Sequence, residues 1–104
     1  MSLGSESRIV GKIAKKLRGN GWFVLKVHGS VYQRPGIPDL MCLKLGFYMW
    51  LEVKRPGGKV SLIQEATHDV MRAHGARVAV VDSENRGVNT AEEELSRWLS
   101  KAMG

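Results

Sequence analysis

Two acids stand where the surrounding pattern calls for apolar or basic residues. Asp39 and Glu52 are the only acids between Arg8 and Lys59, a stretch with eleven Lys and Arg that carries +9. Asp39 to Lys44 and Phe47 to Lys54 read as the two strands of a hairpin, with Leu45-Gly46 as its tight connection. A two-residue turn there pairs Lys44 with Phe47, and counting outward sets Asp39 directly opposite Glu52. Directly opposed side chains share a face, with Cβ atoms about 4.5–5.5 Å apart. Glu52 and Lys54 share a face by the two-residue period, whereas Val53 points away. Neighbouring carboxylates repel, so this register is costly unless a cation sits between them. Lys54 supplies part of that compensation, and a divalent metal would supply more. Such a set suits metal-assisted phosphodiester hydrolysis, with carboxylates holding Mg²⁺ or Mn²⁺ while water fills the open positions. The competing reading is a salt-bridged trio on a solvated face.

Other polar residues divide between structure and chemistry. Glu6 lies at helical spacing from Ile9, Val10, Ile13 and Leu17, so it shares their stripe. An acid near a helix N-terminus is also favoured by the dipole. Gln64 stands three residues after Ser61, where a capping box accounts for it as well as an active-site role does. His28, His68 and His74 lack the spacing of a zinc site. His28, beside Lys26 and Gly29, suits a phosphate contact, while His68 and His74 read as surface helix residues. Trp22 and Trp50 fit sheet packing, and Trp98 fits either helix docking or a subunit contact.

The elements that must position these residues follow from periodicity. Glu6 to Arg18 has helical spacing, with Ser5 as cap and Gly19-Asn20-Gly21 as stop. Trp22 to Val27 reads as a strand whose Phe23, Leu25 and Val27 alternate against Lys26. The segment up to Pro38 is a loop stiffened by Pro35 and Pro38. After the hairpin, Ser61 caps a helix running to about His74, whose apolar set is Leu62, Ile63, Ala66, Val70 and Ala73. Gly75 closes that helix. Arg77 to Val81 is a β-branched strand. Thr90 opens a last helix, with Glu93 in a capping box and Leu95, Trp98, Leu99 and Met103 on its apolar side. The order α-β-β-β-α-β-α implies an α/β fold, a mixed sheet faced by helices.

At 104 residues the chain has room for one domain. No stretch approaches a membrane span, no secretory leader opens the chain, and the single cysteine, Cys42, cannot form an internal disulfide. A cytoplasmic protein without a membrane partner or organic cofactor is expected. The net charge of +6 is concentrated before Val60, since the remainder carries −2. A one-sided basic half attracts a polyanion, with nucleic acid first among candidates and a solubilising face as the alternative.

These motifs resemble a known family. Gly36-Ile37-Pro38-Asp39-Leu40, Glu52-Val53-Lys54-Arg55-Pro56, Gly58-Lys59, Ser61 and Gln64 look like the VRR-NUC domain of the PD-(D/E)XK nuclease superfamily. Glu6 and Lys26-Val27-His28-Gly29-Ser30 extend the likeness over nearly the whole chain, residues 1–104. The resemblance implies a restriction-endonuclease-like αβββαβ core with an extra C-terminal helix, acting on DNA through Mg²⁺ or Mn²⁺. Asp39, Glu52 and the Val53 carbonyl would hold the metal and Lys54 would be the catalytic lysine. Gln64 and Glu6 would complete or support the site, with Glu6 a further candidate ligand. DNA contacts are expected from Arg8, Lys12, Lys15, Lys26, His28, Ser30, Arg34, Arg55 and Lys59. Stand-alone viral, prophage or bacterial members are similar to Holliday-junction resolvases, which implies a homodimer acting on branched DNA. The rivals are a broad-specificity nicking or restriction-like nuclease and a DNA-binding module without cleavage.

Overall fold

The computed structural model describes residues 4–27 and 34–104, so the expectations for His28 and Ser30 lie outside the described residues. Seven elements follow in the expected order: α1 (Ser5–Gly19), β1 (Phe23–Lys26), β2 (Leu40–Lys44), β3 (Phe47–Val53), α2 (Leu62–Ala73), β4 (Val78–Val81) and α3 (Glu84–Met103). The strands lie in the order β1-β2-β3-β4. The first three are antiparallel and β4 runs parallel to β3, a pairing that needs the α2 crossover. No described helix is long and apolar enough to cross a membrane.

Side-chain alternation divides the sheet into two faces. Val24, Cys42, Met49, Leu51, Val53 and Val81 point one way and are buried with Ile13, Ala14 and Leu17 of α1 and Ala91 and Leu95 of α3. Tyr48, Trp50 and Glu52 point the other way, toward the layer that holds α2. The result is a three-layer stack, with two helices on the core face and one on the face that carries the acids. Trp22 meets Phe47 edge-on with centroids 6.2 Å apart, and its indole N–H donates to Glu92 at 2.6 Å. Trp98 lies 5.8 Å from Phe47 on its other flank. Leu95, Trp98 and Leu99 therefore pack on their own sheet, which resolves the choice left open for that helix.

Four local expectations are corrected. Phe23 and Leu25 do not face the core: they are 57% and 48% exposed, and Trp22 and Val24 are buried instead. Both faces of β1 are apolar, and the face that wins is the one opposite Cys42, beneath the two helices. Leu62 and Ile63 of α2 are 84% and 61% exposed, while Thr67 and His68 turn inward. The cap of α1 is Gly4, with no side-chain bond, in place of Ser5. Finally, α3 begins at Glu84, six residues before Thr90, with Ser83 Oγ accepting from the Arg86 N–H.

Gly87 explains that last difference. A glycine inside a helix costs about 1 kcal/mol against alanine, so the segment looks irregular in sequence. Here it lets α3 approach α1, because a Cβ at position 87 would lie 2.4 Å from Ile13 Cδ1. Gly87→Ala should consequently destabilise the protein by about 1–2 kcal/mol in urea unfolding despite its better helix propensity. Ile13→Val, which removes the obstructing methyl, should recover part of that loss in the double variant.

Candidate active site

The β2–β3 register runs from Lys44↔Phe47 at the turn to Leu40↔Leu51, so the next position outward opposes Asp39 to Glu52. The turn takes a left-handed backbone at both residues, with φ 54° at Leu45 and 84° at Gly46, as a hairpin of this length requires. Asp39 is held from two sides. Its Oδ2 accepts from the Val53 N–H at 2.7 Å, and its carbonyl accepts from the Val27 N–H at 2.8 Å.

Glu52 is only 2% exposed. Its Oε2 accepts from Gln64 Nε2 at 3.3 Å and lies 3.7 Å from Lys54 Nζ. Its Oε1 faces His68 Nε2 at 3.4 Å, and neither of these buried atoms has a hydrogen-bond partner. The Glu52 pKa is pushed up to about 8, by burial first, then by the charge and hydrogen bond of Asp39, with Lys54 opposing and Glu6 adding to the rise. Without a cation, then, the site holds a proton on a carboxyl that water would leave ionised. A divalent metal would relieve this repulsion, and the oxygen donors suit a hard cation.

Gln64 satisfies both of its readings at once. Its backbone N–H donates to Ser61 Oγ at 3.2 Å and its Oε1 accepts from the Ser61 N–H at 3.0 Å, completing a capping box. The Nε2 that this leaves free is the group that reaches Glu52. Glu6, in the first turn of α1, accepts from the Arg55 N–H at 3.3 Å, which ties α1 to the end of β3. Among the described residues no three His, Cys, Asp or Glu side chains converge on one point. A cation here would take Asp39 and Glu52 from the side chains and complete its shell from backbone or water.

The VRR-NUC domain family matches residues 5–85. The chain belongs to that family. A solved VRR_NUC domain is similar to it at 29% identity and a TM-score of 0.74, over 86% of this chain and 97% of the other. The fold also matches Hjc, a Holliday junction resolvase of the archaeal hyperthermophile Archaeoglobus fulgidus. That match has 21% identity and a TM-score of 0.57, over 74% of this chain and 67% of the other. A comparison with curated proteins gives no match. The VRR-NUC assignment makes this chain a member of a nuclease family whose superfamily generally uses divalent metals.

Within this VRR-NUC domain the structure brings Asp39, Glu52, Lys54 and Gln64 together and sets Glu6 at their edge. Val53 is buried, with its side chain in the core and its N–H on Asp39. The basic residues are spread more widely. Lys12 and Lys15 line a concavity of about 490 Å³ with Lys16, Gly19, Asn20 and Glu84, on the two-helix side of the sheet and away from the acids. Lys26, Arg34, Arg55 and Lys59 are exposed, and Arg55 lies two residues beyond β3. His68 is the residue that sequence reasoning misplaced. It follows Gln64 by four positions, so helical spacing already put the two on one face.

Two outcomes follow. Glu52 has a raised pKa, so its contribution to stability is present at low pH and is lost as pH climbs toward 8. His68 acts oppositely: burial, and then Arg72, lower its pKa, so its contribution is present above the ordinary value of 6.5 and fades below it. Between pH 6.5 and 8 the Glu52 effect dominates. Urea unfolding of metal-free protein should show a loss of roughly 1–2 kcal/mol across that window, and Glu52→Gln should flatten it. Gln64→Glu keeps the capping acceptor but replaces the donor to Glu52 with a third carboxylate. Cleavage should fall at least tenfold, to order of magnitude, while helix content is retained.

Proposed function

We propose that this VRR-NUC chain is a divalent-metal-dependent DNA endonuclease with a preference for branched DNA such as four-way junctions. The observation that carries the metal dependence is the opposition of Asp39 to a buried Glu52 whose charge Lys54 compensates only in part. Asp39 and Glu52 would hold Mg²⁺ or Mn²⁺, with the Val53 carbonyl as a further ligand. When bound, the metal lowers the pKa of a water and polarises the phosphoryl oxygen. The chain's own residues do the rest. Gln64 holds one Glu52 oxygen in place, and the Val53 N–H orients Asp39. Lys54, on the same side as Glu52, stabilises charge that develops on the phosphate during attack. Glu6 anchors the Arg55 backbone, and Arg34, Arg55 and Lys59 bind phosphates flanking the scissile one. Lys26 and Arg8, with Lys12 and Lys15 on α1, extend the positive field that draws DNA in.

Branched DNA is supported by the fold shared with a Holliday junction resolvase. Two symmetric cuts need two sites, and one chain carries a single Asp39–Glu52 pair. A second copy of the chain is therefore the partner proposed, joined through exposed apolar residues Leu62, Ile63 and Val70 of α2. An uncharged contact suits two copies that each carry +6.

Purified protein should nick DNA only with Mg²⁺ or Mn²⁺ added, and Asp39→Ala or Glu52→Ala should reduce cleavage by at least about 10³-fold while the fold holds. A mobile four-way junction, compared side by side with linear duplex, flap and plasmid DNA, tests substrate preference. Equal rates on all four would favour a broad nicking enzyme, and DNA binding without cleavage would favour a non-catalytic module. Sedimentation at micromolar concentration should give a dimer that Leu62→Glu combined with Val70→Glu converts to monomer. A wild-type monomer, with or without junction DNA, would remove the dimer and leave the single-site nuclease standing.

A further inference from the structure

His68 is a polar residue buried where a helix normally buries an aliphatic one. Its Nε2 and Glu52 Oε1 lie 3.4 Å apart, both sealed from water and both without a hydrogen-bond partner. A leucine at this point of α2 would fill the space without stranding a nitrogen, so packing alone gives no reason for the imidazole. Contacts that are long in a free enzyme commonly tighten when the site is loaded.

The rest of the ring's surroundings point the same way. The clamp between α2 and the turn before Asp39 lies one residue from the ring. Next to it, Thr67 Oγ1 donates to the Pro35 carbonyl at 2.7 Å. Gly36 has φ +84° and is pressed onto α2 so closely that a Cβ would lie 2.8 Å from the Ile63 carbonyl oxygen and 2.9 Å from Thr67 Oγ1. The Pro35–Gly36 turn is thus clamped against α2 just before the chain enters Pro38-Asp39. Thr67 fixes the segment that delivers Asp39, and the next residue, His68, faces the carboxylate of Glu52.

We infer that His68 is a positioning residue for the metal site: with its proton on Nε2, the neutral ring donates to Glu52 Oε1 and sets the carboxylate's rotation. Gln64 holds the other oxygen, so the two α2 residues grip both arms of Glu52. This inference rests on the proposed role of Glu52 as a metal ligand. Groups that orient a ligating carboxylate commonly change metal affinity by about 10–100-fold when removed.

The test is Mn²⁺ binding to the full chain without DNA, read by calorimetry or by the loss of the free-ion electron paramagnetic resonance signal. An asparagine amide reproduces the Nδ1 position and a glutamine amide the Nε2 position. His68→Asn should therefore lose Glu52 and weaken Mn²⁺ binding by about 10–100-fold. His68→Phe, with the ring shape but no nitrogens, should lose as much. His68→Gln should restore binding to within about threefold of wild type, a rescue that a purely structural role would not produce. Circular dichroism confirms the fold of each variant, and if the Phe variant fails to fold the Asn–Gln comparison decides. The inference is overturned if His68→Asn binds Mn²⁺ like wild type, or if His68→Gln falls as far as His68→Asn. Glu52→Gln separates the two levels of argument. If it retains wild-type Mn²⁺ affinity, the cation site itself is misassigned, whereas its loss beside an unaffected His68→Asn would sink the His68 role alone.

Discussion

Leu45 and Gly46 both adopt a left-handed backbone, and for Leu45 that costs on the order of 1–2 kcal/mol. The return on this strain is a twist that matches the strands and a register with no slack. Because side chains alternate with period two, a slip of one residue would send Glu52 into the two-helix core and bring Val53 to the site. Met49, Leu51 and Val53 resist that slip, since each would leave a fully buried position. The hydrophobic core and the placement of the carboxylates are therefore the same constraint. The Asp39–Val53 hydrogen bond lies beyond the last ladder pair and carries the register out to the open end of the hairpin.

What the register creates is an electrostatic conflict. Glu52 is buried beside Asp39 with Glu6 close enough to add to the repulsion, and Lys54 offsets only part of it. A fold optimised for stability alone would place an apolar residue there. The local hydrogen bonds do not remove the conflict; they direct it. Gln64 and the Val53 N–H hold one oxygen each, so the carboxyls cannot swing apart into solvent. A proton on Glu52 would relieve part of this conflict, and a metal ion would do the same with greater charge and defined geometry.

The parts of the site legible in sequence are those decided by local geometry. Asp39, Glu52 and Lys54 follow from a two-residue turn and a two-residue period, and Gln64 follows from its distance to Ser61. The unreadable parts depend on which face an element presents. In β1 either alternation is apolar, and only the position of α1 and α3 selects Val24 over Phe23 and Leu25. In α3, Gly87 hides a helix because its reason is Ile13, far away in sequence. In α2 the apolar stripe was the natural choice for the buried face, yet Thr67 and His68 are buried instead.

That inversion of α2 follows from its polar contacts. At 100° per residue, Gln64, Thr67, His68 and Met71 form one stripe, and the stripe of Leu62, Ala66, Val70 and Ala73 lies about 155° around the helix. Rotating α2 to bury the second stripe would strip Glu52 of Gln64, carry His68 away from Oε1 and break the Thr67–Pro35 bond. Hydrophobic burial favours that rotation. The capping box at Ser61, the clamp on the Pro35–Gly36 turn and the polar contacts at Glu52 oppose it, and together they prevail in the fold. Exposed Leu62 and Ile63 are thus the counterpart of a well-held carboxylate: the polar face needed at the site displaces the apolar face onto the surface. A partner that covered this stripe would relieve the exposure and would hold α2 in the orientation the site requires, coupling assembly to the geometry of Glu52.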